Sequence, residues 1–423
     1  MKKQEIIFFL VSFMFCIPAF TQVFITNDIE PGARQDALRL MQQGDLFIRY
    51  GSWQEAENAY TNAIQIAPDF ADAYMKRANF YKIQGRFQES MADYNNAITL
   101  NPYSEYIYDS RAKLKILAMD YKGALDDITQ AISINPNNDE LIDHRIEDLI
   151  ALGDYEQALA DIDTLISHEY ELEKEYEKKA LVYLLMNDLT NCLSSTDTLL
   201  QINPKSAIAY DLKGVVSIKR KKYKDAINYF SEAISLNPNF AMAYYNLAIA
   251  HRYAGNDQAA LRELSNAIAV SHNMSNIYFA RAIILKELGD REGAIQNYNQ
   301  AIELDSNHTD ALYNRAFTYK FTGDFTNALN DVEQIIATEP DRPEHWNLKG
   351  NTHLLFGNYE DAINAYSKAI GFDPNYIPAY YNRGLAYLMS YRLRRGCEDI
   401  QYCIDMNYPS AGKVFENFCG NQH

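Results

Sequence analysis

Small, apolar and turn-forming positions recur along this chain with a period of 34 residues. Pro stands at 68, 102, 136, 204, 238, 340 and 374, and every gap is a multiple of 34. With position 1 of the first copy at Ala37, eleven copies run to Ser410 without insertion or deletion. Position 8 is Gly or Ala in ten copies, from Gly44 to Gly384, and Ile146 in the fourth. Position 20 is small throughout, from Ala56 to Gly396, with Ser90 and Cys192 among its members. Small residues at two fixed places let two helices approach closely. Gly at position 15 in seven copies (51, 85, 153, 255, 289, 323, 357) marks the turn ending a first helix. Pro at position 32 stops a second one. Between these marks apolar residues follow helical spacing, as in Tyr74, Tyr81, Phe87, Tyr94 and Ile98. Each copy therefore reads as helix–turn–helix, and stacking the copies builds one continuous core.

These columns resemble the tetratricopeptide repeat, a family of 34-residue helical hairpins with small and aromatic marks of this kind. The resemblance covers residues 37–410. It is most typical in copies 2, 6, 10 and 11, for example Ala379-Tyr380-Tyr381-Asn382-Arg383-Gly384-Leu385-Ala386-Tyr387. Copies 4 and 5 depart from it: Ile146 replaces the small residue, Tyr170 the Pro, and Leu165 and Leu199 the Ala at position 27. Copies 7 and 8 carry His272 and Ser306 in place of Pro. The fold it implies is all-α: a right-handed superhelical α-solenoid of eleven repeats, closed by a capping helix. Four segments follow: an export signal at 1–21, a lead at 22–36, the repeats at 37–410, and a cap and tail at 411–423.

The copies also serve as an internal alignment. Arg occupies position 7 in six of them, and position 23 of the same copies is Asp or Asn. The pairs are Arg77 with Asp93, Arg111 with Asp127, Arg145 with Asp161, Arg281 with Asn297, Arg315 with Asp331, and Arg383 with Asp399. The other five have Ala59, Ser195, Tyr229, Glu263 and Ala365 at position 23. This correlation predicts a partly buried ion pair between the two helices of one hairpin, fixing geometry more than adding stability.

Before the repeats, Lys2 and Lys3 precede an apolar stretch from Ile6 to Phe20. Ala19-Phe20-Thr21 places small residues for a cut before Gln22. The stretch reads as a signal peptide and is short for a membrane span. The rival reading, an uncleaved anchor, is the one route by which the sequence suggests membrane attachment. Phe13, Met14 and Phe15 before Cys16 argue against lipid attachment there. The expected location is the periplasm or the exterior.

A formal charge of -17 opposes binding to nucleic-acid phosphates. No phosphate-binding, hydrolase, metalloprotease or paired-CxxC motif occurs. His251 and His353 both take position 11 and read as buried, hydrogen-bonded core residues. No enzyme activity, metal or cofactor is expected. At the C-terminus, Ala411–Phe418 reads as a capping helix with Val414, Phe415 and Phe418 inward. Gly396-Cys397-Glu398-Asp399 with Cys419 resembles the end of a group of bacterial exported repeat proteins with recurring cysteines there. Cys192 and Cys403 fall in small buried columns, which leaves Cys397 and Cys419 as a disulfide candidate in an export setting, with free thiols as the other reading.

In the family, positions 2, 5, 9, 12 and 13 of the first helices line a concave groove. Carried over, position 5 gives an acidic stripe of Asp109, Asp143, Glu177 and Asp211. It then gives an aromatic one of Tyr245, Phe279, Tyr313 and Tyr381. Position 9 adds Ile249, Ile283, Phe317 and Leu385, and position 13 adds Tyr253 and Phe321. The implied function is a protein or peptide scaffold binding its partner in that groove. Alternatives are a glycan-associated or enzyme-accessory envelope protein using the same aromatics, and self-association of the array.

Overall fold

The computed structural model describes residues 32–420. The signal segment at 1–21, most of the lead at 22–36 and the last three residues lie outside the described residues. Among the described residues the chain forms 23 α-helices and no strand. The described residues divide into two compact units, one ending at Asp161 and the other beginning at Ile162. Within each unit, second helices pack on the first helix of their own copy and on the helix that follows, as Trp53–Ile66 does on Ala33–Arg49 and Ala71–Ile83, and Tyr223–Leu236 on Ala207–Lys219 and Ala241–Tyr253. The first unit is filled by Tyr60, Phe80, Tyr94, Ile107, Leu114 and Ile128. The second is filled by Phe230, Leu264, Tyr298, Val332, Tyr366 and Ile400.

The period is kept at the level of helix ends. Every second helix begins at position 17, from Trp53 to Leu393. Residues at position 16 cap several of these, as where Asp120 accepts from the Gly123 backbone N–H at 3.0 Å and Asp290 from that of Gly293 at 2.8 Å. Position 15 is left-handed in all eleven copies. The seven glycines have φ of 72–90°, and Met119, Asn187, Lys221 and Tyr391 take the same turn at 58–61°. At position 31 the chain becomes extended, with Ala67 at φ -131° and ψ 77° before Pro68. Ser271 at φ -145° and Asp305 at φ -140° do so without a following Pro, so the turn does not depend on it.

Position 8 is small because position 24 of the same copy points at it. A Cβ on Gly44 would lie 2.7 Å from the Tyr60 ring, one on Gly214 2.5 Å from Phe230, and one on Gly350 2.4 Å from Tyr366. These three rings lie against bare backbone, while the equally buried Tyr94 and Tyr298 are accommodated opposite Ala78 and Ala282, so the position stays small throughout those copies.

The position-7 arginines bind as forks. Arg77 donates from Nε and Nη2 to both oxygens of Asp93 at 2.7 and 2.9 Å. Arg111 does so with Asp127 at 2.7 and 2.6 Å, Arg145 with Asp161 at 2.7 and 2.7 Å, Arg315 with Asp331 at 2.9 and 2.6 Å, and Arg383 with Asp399 at 2.8 and 2.9 Å. Arg281 reaches Asn297 through one hydrogen bond of 2.8 Å. A third donor, Nη1, crosses to position 25 of the preceding copy: Thr61 from Arg77, Asn95 from Arg111, Asn299 from Arg315 and Ser367 from Arg383. Where position 7 is Lys, the charge pairing moves to that second place. Lys179 meets Asp163 at 2.5 Å, Lys213 meets Asp197 at 2.6 Å, and Lys349 meets Glu333 at 3.1 Å. A planar fork can serve two helices at once, while a single ammonium is drawn to one carboxylate. The cation at position 7 thus selects whether its acid sits on its own hairpin or on the copy before.

The last helix, Ala411–Phe418, buries Ala411 and half-buries Val414 and Phe415. Phe418, expected inward, is instead 57% exposed. Cys419, buried and bonded to Cys397, takes the place against the array at that end. Cys192 and Cys403 are buried free thiols, pushed up to about 11 and about 12 by burial.

Candidate partner-binding site

The acidic stripe is not an open row of carboxylates. In the first unit, Asp109 accepts from Lys113 Nζ at 2.9 Å and lies 2.9 Å from His144 Nδ1. Burial would raise its carboxyl, but His144 and Lys113 hold it below the usual range. Asp143 is buried. In the second unit, Glu177 is half-buried and pushed up by burial and by Glu173. Asp211 is 8% exposed and accepts from Asn246 Nδ2 at 3.0 and 3.2 Å; burial pushes its carboxyl up to about 6. Position 5 therefore faces position 6 of the next copy. Asn347 and Asn382 repeat the contact at 3.0 Å. Asp211, expected to face a partner, is a structural contact inside its unit instead, because the next first helix closes over it through Asn246, and Asp143, expected to do the same, is buried.

The aromatic residues of the second unit separate into two groups. Tyr245 and Ile249 are half-buried against the core formed by Ala248, Leu264 and Ile277. Phe279 lies 4.8 Å from His308 and 6.1 Å from Tyr298 between ring centroids. Tyr313 packs with Ala316, Val332 and Leu348, and Tyr381 lies 5.1 Å from Tyr408. These position-5 rings pack against their own copy, and Tyr245 and Tyr313 also against Ile277 and Leu348 of the next one. The position-13 residues do not: Tyr253 and Phe321 are each 58% exposed. Phe321 stands edge-on to Phe317 at 4.8 Å, and Tyr253 stacks on Tyr223 at 5.4 Å.

The same column holds apolar residues that the sequence reading passed over. In the second unit Leu185, Leu355 and Met389 are exposed at position 13, and in the first unit Ile83 and Leu117 are. The available signal was apolar character at the last turn of successive first helices, where the core no longer requires it. Lys320 adds charge at this edge. Its Nζ sits 4.4 Å from the Phe317 centroid and 5.0 Å from that of Phe321, and burial lowers its ammonium pKa. The second unit thus presents rings and aliphatic side chains, with a cation over two of the rings, along the C-terminal ends of its first helices.

His353, expected to be hydrogen-bonded, has a buried Nδ1 without a partner among the described residues. Among the described residues no group of His, Cys, Asp and Glu is arranged to hold a metal, and no helix is long and apolar enough to cross a membrane.

The sequence matches family models described as TPR repeat at residues 214–252, 283–323 and 350–390, and as tetratricopeptide repeat at 41–105 and 309–342. No curated protein matches it significantly. Similar solved structures include a tetratricopeptide repeat protein from Parabacteroides merdae, at 20% identity and a TM-score of 0.45, covering 67% of this chain and 99% of that one. The Cut9–Hcn1 complex is similar at 12% identity and a TM-score of 0.42, over 90% and 96% of the two chains. Yeast Tom70 is similar at 16% and 0.39, over 87% and 84%. Global superposition at these scores adds nothing to the assignment. It rests on the matched segments, and on helices that begin and end in the same 34-residue phase from one copy to the next. The chain is a tetratricopeptide repeat protein.

Proposed function

We propose that this protein is an exported, non-enzymatic scaffold that holds a polypeptide segment along the position-13 edge of its C-terminal unit. One observation carries the reading: Tyr253, Phe321, Leu355 and Met389 recur in one column, each at least half exposed. Phe321, Leu355 and Met389 fall in three consecutive copies, while Glu287, paired with Arg252 at 2.7 Å, stands between Tyr253 and Phe321; recurring exposed apolar groups of this kind are characteristic of surfaces that bind partners. Burial of apolar side chains against this edge supplies the binding energy, with no covalent step. The charge of -17 favours a polypeptide over an anionic membrane as the occupant. Export is supported by the apolar segment from Ile6 to Phe20 and agrees with a Cys397–Cys419 disulfide. N-terminal sequencing of the protein from its source should begin at Gln22; a start at Met1 would remove the export reading.

Displayed random peptides panned on the full chain test the binding mode. Enriched peptides should carry two or more large apolar residues. Tyr253→Glu with Phe321→Glu should weaken them by about tenfold or more, a loss of about 1.4 kcal/mol. Both side chains are exposed, so stability should stay within about 0.5 kcal/mol. Peptides that bind the double variant as well as the wild type would move the site elsewhere.

A further inference from the structure

The tenth copy breaks the position-7 pairing in a way that opens a cleft. Its Lys349 turns to Glu333 on the preceding copy, and Ala365 stands at position 23, where the arginine copies have Asp or Asn. A cleft of about 310 Å³ results, between the helices Phe325–Thr338, Pro343–Phe356 and Tyr359–Phe372. Trp346 lines it, with its indole N–H already donated to the Pro340 carbonyl at 2.7 Å. The ring is therefore fixed in orientation without spending any polar group of the cleft.

We propose that this cleft binds one neutral pyranose unit of a saccharide. The lining carries two carboxylates, Glu333 and Asp361, and two ammonium groups, Lys349 and Lys368. The formal charges cancel, so a charged ligand would gain from one pair and lose to the other. Burial holds the His353 imidazole below its usual range, on the neutral side. Acceptors and donors are mixed, and Asn364 supplies one of each. A sugar hydroxyl both donates and accepts and uses such a mixture fully, whereas a purely anionic or cationic group uses half of it. A flat aromatic wall with a few convergent polar groups suits the apolar C–H face of a pyranose. Lys368 now lies over that wall, with its Nζ 4.3 Å from the Trp346 centroid. It is exposed and has no carboxylate within ion-pair distance among the described residues. It can swing aside and donate to a ring hydroxyl.

The chain has two tryptophans, so Trp53→Phe makes Trp346 the sole indole reporter in the full-length protein. Its emission is followed during titration with methyl β-D-glucopyranoside, methyl α-D-mannopyranoside, D-galactose and N-acetyl-D-glucosamine. D-Glucuronate and D-glucosamine serve as charged controls. At least one neutral sugar should give a saturable change with a midpoint on the order of 1 mM, typical of few contacts. Ala365→Asp restores the missing carboxylate and should raise that midpoint by about tenfold or more, as should Asn364→Ala on the exposed rim. Absence of a saturable change with every neutral sugar overturns the proposal. So does tighter binding of a charged sugar, or a midpoint unchanged in both variants. The cleft is formed by residues other than Tyr253 and Phe321, so either outcome leaves the peptide-binding reading to its own test.

Discussion

Asp211→Asn should stabilise the C-terminal unit, and the gain should depend on pH. Asp211 lies on the helix Ala207–Lys219, 8% exposed, and accepts a hydrogen bond from Asn246 on Ala241–Tyr253. Burial raises its carboxyl from 3.8 to about 6. An acid with a raised folded-state pKa carries a cost that is full above that pKa. The cost shrinks as pH falls through about 6 and is gone below the unfolded value. That rise corresponds to a cost of about 3 kcal/mol at neutral pH. An Asn in this place has a precedent in the chain, since Asn382 donates to Asn347 at 3.0 Å between the same two positions. The substitution therefore removes the charge and keeps a satisfied contact. Repeat arrays unfold in parts, so the suitable assay is hydrogen exchange of the amides in these two helices. At about pH 8 the variant should be more protected by about 2–3 kcal/mol, and by about pH 4 the two proteins should agree. Equal protection at about pH 8, or a variant less protected there, would refute the claim that a buried charge costs stability at this position.

Further substitutions probe the repeat grammar. Arg315→Leu and Asp331→Ala should each cost about 3 kcal/mol, and together much less than the sum; additive losses would show that the fork is not a coupled pair. Tyr391→Gly should stabilise the last copy by about 0.5–1 kcal/mol, because its φ of 61° strains a side chain that is 93% exposed. A loss in thermal or denaturant midpoint would contradict this. Cys419→Ser opens a bridge spanning 22 residues and should lower protection of Leu393–Asp405 and the cap by about 3 kcal/mol. Unchanged exchange in both helices would mean that packing alone holds the cap.

The helical phase was legible because each copy meets the same packing problem and answers it with the same residue types. Seven glycines disclosed the left-handed turn at position 15; Met119, Lys221 and Tyr391 hide it, since nothing in their chemistry asks for positive φ. The Arg–Asp fork was visible as a correlation within one copy. The Lys pairings escaped because Lys179, Lys213 and Lys349 look back to the preceding copy, and a column comparison within copies does not register that. The partner-binding face was less legible. Position 5 lies on the expected face, yet Asp211 and Tyr313 are withdrawn by what the next copy places against them. That depends on neighbours rather than on the residue itself. Tyr253 and Phe321 remain outside because position 13 falls at the last turn of its helix, past the reach of the following copy.

The claim that this edge receives a polypeptide is tested most directly by photo-crosslinking in the native source. A photoreactive phenylalanine analogue is placed at 253 or 321, with a control at Tyr103, which takes position 33 of its copy and is 82% exposed. The account predicts discrete polypeptide adducts from 253 and 321 and none from 103. Adducts of the same kind and yield at all three positions, or at 103 alone, would contradict it.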